Sequence, residues 1–130
     1  MIKFQLNKLV RDKLLDMYYE LGQKPTFKTL KTDEHRQMLV EKIIEEASEL
    51  KRASGVDLVS EIADVEQALD DLKKLCKINP ADLEETIKDK LAKRGGFQKA
   101  IYIETLELKD DDPWVSYYRK EPSRFPEISE

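Results

Sequence analysis

Six residues constrain the fold of this chain more than any others. Leu58, Ile62, Val65, Leu69, Leu72 and Cys76 follow a 4-3-4-3-4 spacing. An α-helix lines such positions up along one seam. A strand cannot, because its side chains change face at every residue. The seam predicts a helix from near Val56 or Asp57 to about Lys77, packed in a bundle with Cys76 in its core. Composition agrees: only four of 130 residues are glycine, 38% are charged and 40% are hydrophobic. That balance favours a soluble helical domain over a β-rich or disordered one.

The rest of the chain extends the helical pattern. Val10, Leu14, Met17, Tyr18 and Leu21 recur at helical spacing from Leu9 to about Leu21, and Gly22 supplies a stop. Residues 23–32 contain Pro25 and read as a loop. Thr32 is a candidate N-cap, followed by Asp33 and Glu34 where the helix dipole favours negative charge. That helix runs to about Ala53 with a stripe of Leu39, Ile43, Ala47 and Leu50, and Ser54-Gly55 breaks it. Asn79-Pro80 starts a fourth helix, which Gly95-Gly96 ends.

Two segments read differently. Ile2, Phe4 and Leu6 alternate with Lys3 and Gln5, and residues 101–108 are rich in β-formers. They predict two short terminal strands that pair with each other. Residues 109–130 read as an extended tail anchored by Trp114, Tyr117, Tyr118 and Phe125, leaving 1–108 as the domain proper.

Several function classes are excluded or disfavoured. The formal net charge of −4 gives no basic excess for nucleic acid. The single cysteine and single histidine leave no intramolecular disulfide and no Cys- or His-rich zinc site. No apolar run has membrane-spanning length and no signal peptide is evident, so a cytoplasmic protein with no membrane partner is expected.

The chemistry is concentrated around Gly55. Glu49 lies six residues before it and Glu61 six after; Glu46 lies nine before and Asp64 nine after. In an antiparallel hairpin turning at Gly55, equal offsets become equal heights. Glu46 then stands level with Asp64, and Glu49 with Glu61. Four carboxylates in one volume repel one another unless a cation lies among them. Hard oxygen ligands suit Mg²⁺ or Mn²⁺. Such a cation neutralises phosphate charge and activates water, which Glu45 is placed to orient or deprotonate. Lys42 and Arg52 can pair with Glu46 and Glu49 along the helix, but Glu61 and Asp64 have no basic neighbour at helical spacing. Spacing alone leaves a metal site and a cross-helix salt bridge equally open.

These residues also carry a resemblance. Lys42-Ile43-Ile44-Glu45-Glu46-Ala47-Ser48-Glu49, followed by Glu61-Ile62-Ala63-Asp64, resembles the KxxEExxE…ExAD signature of the all-α, MazG-like nucleoside triphosphate (NTP) pyrophosphohydrolases. Asn7 to Lys13 resembles the KLVRDKI opening of the small house-cleaning members, and Lys90 to Phe97 their KxxKRGGF motif. The resemblance implies an all-α bundle completed by dimerisation, as a homodimer or homotetramer. It implies Mg²⁺-dependent hydrolysis of an NTP to monophosphate and pyrophosphate, with Mn²⁺ able to substitute. Glu46, Glu49, Glu61 and Asp64 would ligate the metal, and Glu45 with Glu46 would serve catalysis. Lys8, Arg11, Lys42, Lys90 and Arg94 would bind substrate. Phe97 reads as a core plug. Departures at Leu14-Leu15, at Glu66 and beyond Leu108 leave the base specificity open. Two rival readings remain: a non-catalytic helical dimer serving as an interaction module, and a narrow phosphoribosyl-ATP or dUTP pyrophosphatase.

Overall fold

A computed structural model describes residues 1–129. The element order is α1 (Leu14–Glu20), α2 (Thr32–Arg52), α3 (Leu58–Leu75), α4 (Pro80–Arg94) and α5 (Trp114–Arg119). The chain divides into two compact units, Met1–Asp89 and Lys90–Glu130. Among the described residues no helix is long and apolar enough to cross a membrane.

The all-α expectation holds, and the two terminal strands do not form. No described residue lies in a strand. Ile2 and Phe4 are 86% and 79% exposed, and Ile101, Tyr102 and Ile103 are exposed as well. Alternation alone does not make a strand, since an isolated two-stranded pairing is marginal without a layer to pack on. The tail also departs from a fully extended form, because α5 lies inside it.

The first unit is built on the hairpin of α2 and α3, which pack against each other. Residues 53–57 join them, with the Asp57 N–H donating to the Ser54 carbonyl at 2.9 Å. So short a link makes the two helices antiparallel. α2 opens with Asp33 and Glu34 and closes with Lys51 and Arg52, each charge complementing the helix dipole. Lys31 rather than Thr32 takes the N-cap position, and no side chain caps it.

α1 starts at Leu14, five residues later than its apolar spacing suggests. Basic residues in a first turn oppose the helix dipole. Here Lys8 and Arg11 stay outside the helix and reach the hairpin instead. Asn7 turns the chain just before them, in the left-handed region at φ 46° that asparagine tolerates. Gly22 ends α1 with φ 74°, as its position suggests.

The seam of α3 is rotated from the one read in the sequence. The positions turned inward are Glu61, Asp64, Val65, Ala68, Leu72 and Leu75, with Ala68 buried and the others half-buried. Leu58, Ile62, Leu69 and Cys76 are exposed. On α2 the matching positions are Leu39, Ile43, Glu46 and Leu50, again at 4-3-4 spacing, while Ala47 is exposed. Leu39 and Ala68 are the buried apolar residues among those described, at 3% and 6% exposure. Glu46 is therefore a seam residue of α2, and Glu61 begins the seam of α3.

In the second unit Gly95 ends α4 at φ 76°, its N–H donating to the Leu91 carbonyl at 2.9 Å. Phe97, expected as a core plug, is fully exposed. Around α5 the aromatic residues pack on one another. Tyr117 meets Trp114 edge to face at 5.2 Å between centroids, and Tyr118 meets Phe125 likewise at 5.0 Å. Arg119 closes the turn by donating to both oxygens of Glu127 at 2.7 and 3.3 Å.

Candidate metal centre

The hairpin brings three carboxylates together. Glu46 from α2 and Glu61 and Asp64 from α3 each offer an oxygen, all within 4.8 Å of one another. Equal heights about Gly55 account for Glu46 and Asp64. Glu61 joins from one turn along the same face of α3. Glu49 stays outside this trio, partly buried on α2. Its charge nonetheless acts on Glu61.

Burial makes the trio electrostatically demanding. Glu46 is 7% exposed. Its Oε2 has no hydrogen-bond partner, and neither does the Oε2 of Glu61. Buried carboxylate oxygens without partners are costly and need an explanation. Glu61 makes no ion pair among the described residues. Desolvation raises its pKa above the ordinary carboxyl value, and the charges of Glu49, Asp64, Glu46 and Asp57 raise it further. A group so placed favours either a proton or a cation. Glu46, Glu61 and Asp64 thus form a set that can hold a metal ion.

Cations of the chain itself cover the remaining edges. Arg11 donates from Nη2 to Asp64 Oδ1 at 2.6 Å. Lys42 Nζ lies 3.3 Å from Glu46 Oε1 and donates to Glu45 Oε2 at 3.0 Å. Lys8 reaches the other oxygen of Glu45 at 3.5 Å. The alternatives left open by the sequence therefore divide by residue. Asp64 has a salt bridge, supplied by the segment before α1 rather than by a helix neighbour, and Glu61 has none.

The lysines set the character of their partners. Burial opposes the charge on Lys42, but Glu45 and Glu46 outweigh it and hold its pKa above the usual lysine value. Burial likewise pushes the Glu45 carboxyl up, yet Lys42 and Lys8 prevail and bring it below its ordinary value. A carboxylate stabilised in this way is a weak proton acceptor and better suited to orienting a water than to deprotonating one. Beside it lies a cleft of about 270 Å³ lined by Leu6, Asn7, Lys8, Leu9, Met38, Glu41, Lys42 and Glu45.

Of the residues singled out from the sequence, Lys8, Arg11, Lys42, Glu45, Glu46, Glu61 and Asp64 are thus linked around one end of the hairpin. Lys90 and Arg94 are exposed on the last turns of α4, in the second unit, where Arg94 complements the helix dipole. The seam position of Glu46 was not recognised from the sequence, although the 4-3-4 spacing through Leu39, Ile43 and Leu50 carries that signal. No family model, curated protein or solved structure matches the chain.

Proposed function

We propose that the chain is a Mg²⁺-dependent nucleoside triphosphate pyrophosphohydrolase, releasing a nucleoside monophosphate and pyrophosphate. The observation that carries this reading is the carboxylate trio with two buried, partnerless oxygens. The resemblance of its residues to the KxxEExxE…ExAD signature supplies the reaction class. Glu46, Glu61 and Asp64 hold the cation, with Glu49 joining as a fourth ligand. All-oxygen ligation suits Mg²⁺ and admits Mn²⁺. When bound, the cation supplies charge neutralisation and acidifies a water.

The chain's own residues do the rest. Lys8 and Lys42 flank the cleft next to the trio and bind phosphate oxygens of the substrate. Glu45, ionised between them, orients the attacking water. Arg11 adds positive charge for the triphosphate. The exposed Leu58, Ile62 and Leu69 edge of α3, together with Val40 and Ile44 of α2, is covered in a homodimer or homotetramer.

The test is release of pyrophosphate from a panel of standard and modified NTPs, with Mg²⁺, with Mn²⁺ and with chelator. Metal-dependent release with a monophosphate co-product supports the reading and ranks the bases. Release confined to dUTP or phosphoribosyl-ATP would narrow the substrate. A folded, cation-binding protein that releases nothing from any of them would turn the assignment to a non-catalytic helical module.

A further inference from the structure

Arg11 lies outside any helix, and its guanidinium is largely exposed, yet it makes the shortest ion pair of the first unit, at 2.6 Å to Asp64 Oδ1. Asp64 is also one of the three carboxylates that converge within 4.8 Å. The same trio contains Glu46, over nine-tenths buried, with one oxygen on Lys42 and the other on nothing. The set is therefore neutralised unevenly. Lys42 serves Glu46 from within α2, at helical spacing, and cannot leave without unwinding or a rotamer change. Arg11 serves Asp64 from the segment before α1, tied to that helix by its carbonyl, which accepts the Leu14 N–H at 3.0 Å, so its side chain can swing away with the helix intact.

We propose that Arg11 is the resting counter-ion of the cation site: it occupies Asp64 when no divalent cation is bound and is exchanged for the cation on loading. The inference rests on the trio being a cation site. An arginine and a divalent cation on one carboxylate repel each other, so each weakens the other's hold on Asp64. The exchange keeps an acidic cluster from standing wholly uncompensated before loading. It also frees a planar, five-donor guanidinium suited to phosphate, so that anion capture by Arg11 follows cation loading rather than preceding it.

The experiment is Mn²⁺ titration of the whole chain, without nucleotide, by calorimetry, comparing the parent with Arg11→Ala and Glu61→Gln. Mg²⁺ titration followed at the Arg11 side-chain N–H resonances runs beside it. The exchange predicts that Arg11→Ala binds Mn²⁺ roughly two- to fivefold more tightly, the scale of a partly exposed ion pair. It also predicts that the Arg11 resonances shift to free values at the same Mg²⁺ concentrations that fill the site. Equal or weaker binding by Arg11→Ala, with the parent and the variant both saturating, overturns the exchange and leaves the cation site standing. Arg11 resonances unchanged through saturation overturn it too. Failure of both proteins to bind Mn²⁺, or undiminished binding by Glu61→Gln, overturns the cation site beneath it. Inorganic tripolyphosphate supplies the last arm. Its affinity should rise more on adding Mg²⁺ to the parent than to Arg11→Ala, and an equal rise removes the phosphate role.

Discussion

The α2–α3 hairpin and the aromatic turn around α5 solve opposite problems. In the hairpin, carboxylates point inward and apolar side chains such as Ile62 and Leu69 are left exposed. Around α5, the rings of Trp114, Tyr117, Tyr118 and Phe125 face one another while the charges pair outside, Arg119 with Glu127 and Arg124 with Glu121. Arg124 also lies over the Phe125 ring at 4.8 Å. The turn balances its charges locally: Arg119 and Arg124 find their carboxylates within eight residues, although Trp114 and Tyr117 stay 58% and 47% exposed. The hairpin is locally incomplete, with charge that its own residues only partly balance. A cation at the trio would resolve that imbalance; the turn needs none.

The contrast can be broken most sharply at the trio. Asp64→Asn or Glu61→Gln should lower metal-dependent turnover by more than about 100-fold, since even outer-shell partners of a metal are worth 10- to 100-fold. Circular dichroism should show the helices intact; retained turnover would sever the trio from the chemistry. Next comes the turn. Tyr117→Ala removes ring contacts to Trp114, Tyr118 and Phe125 and should cost about 1–3 kcal/mol of local stability. The fluorescence of Trp114, the sole tryptophan, and amide exchange across Trp114–Arg119 report it.

A smaller effect follows from Glu61. Its pKa is raised in the folded chain, so the folded state favours the protonated form. This group's contribution is therefore neutral below the unfolded carboxyl value and turns destabilising as pH rises through the folded one. Glu45, whose pKa is lowered, acts in the opposite sense, so parent and variant must be compared at each pH. Cation-free Glu61→Gln should melt above the parent at neutral pH, and the gap should close in acid. A gap that persists in acid would assign the gain to packing instead. The smallest effect is at the surface of the turn. Glu127→Gln should leave the melting temperature unchanged within error, because exposed ion pairs contribute little. A measurable fall would show the turn to be less self-sufficient than its aromatic contacts indicate.

Helices were legible where periodicity and punctuation agreed. Pro80 begins α4 and Gly22 and Gly95 end helices as their chemistry requires. Asn79 adds a side-chain acceptor for the Ala81 N–H at 2.9 Å. Height along the hairpin was legible too, because Glu46 and Asp64 stand nine residues either side of Gly55. Rotation was not. The apolar positions Leu58, Ile62, Leu69 and Cys76 form a clean heptad, yet the face turned inward runs through Glu61, Val65, Ala68, Leu72 and Leu75. Reading apolar residues as inward hides a seam whose first position is acidic. The contacts of Lys8 and Arg11 lay beyond reach for another reason. They join positions 37 and 53 residues apart in sequence, which no local pattern encodes.

Glu46 and Glu61 sit where a hairpin built only to be stable would carry leucines. Replacing both with leucine would extend the apolar contact toward the turn, removing two partnerless oxygens and three mutually repelling charges down to one. Such a chain would be a better helical hairpin and would lose the proposed cation site. The parent therefore holds unused capacity for stability at two identifiable positions, and the carboxylates that occupy them are the ones the proposed cation site would need.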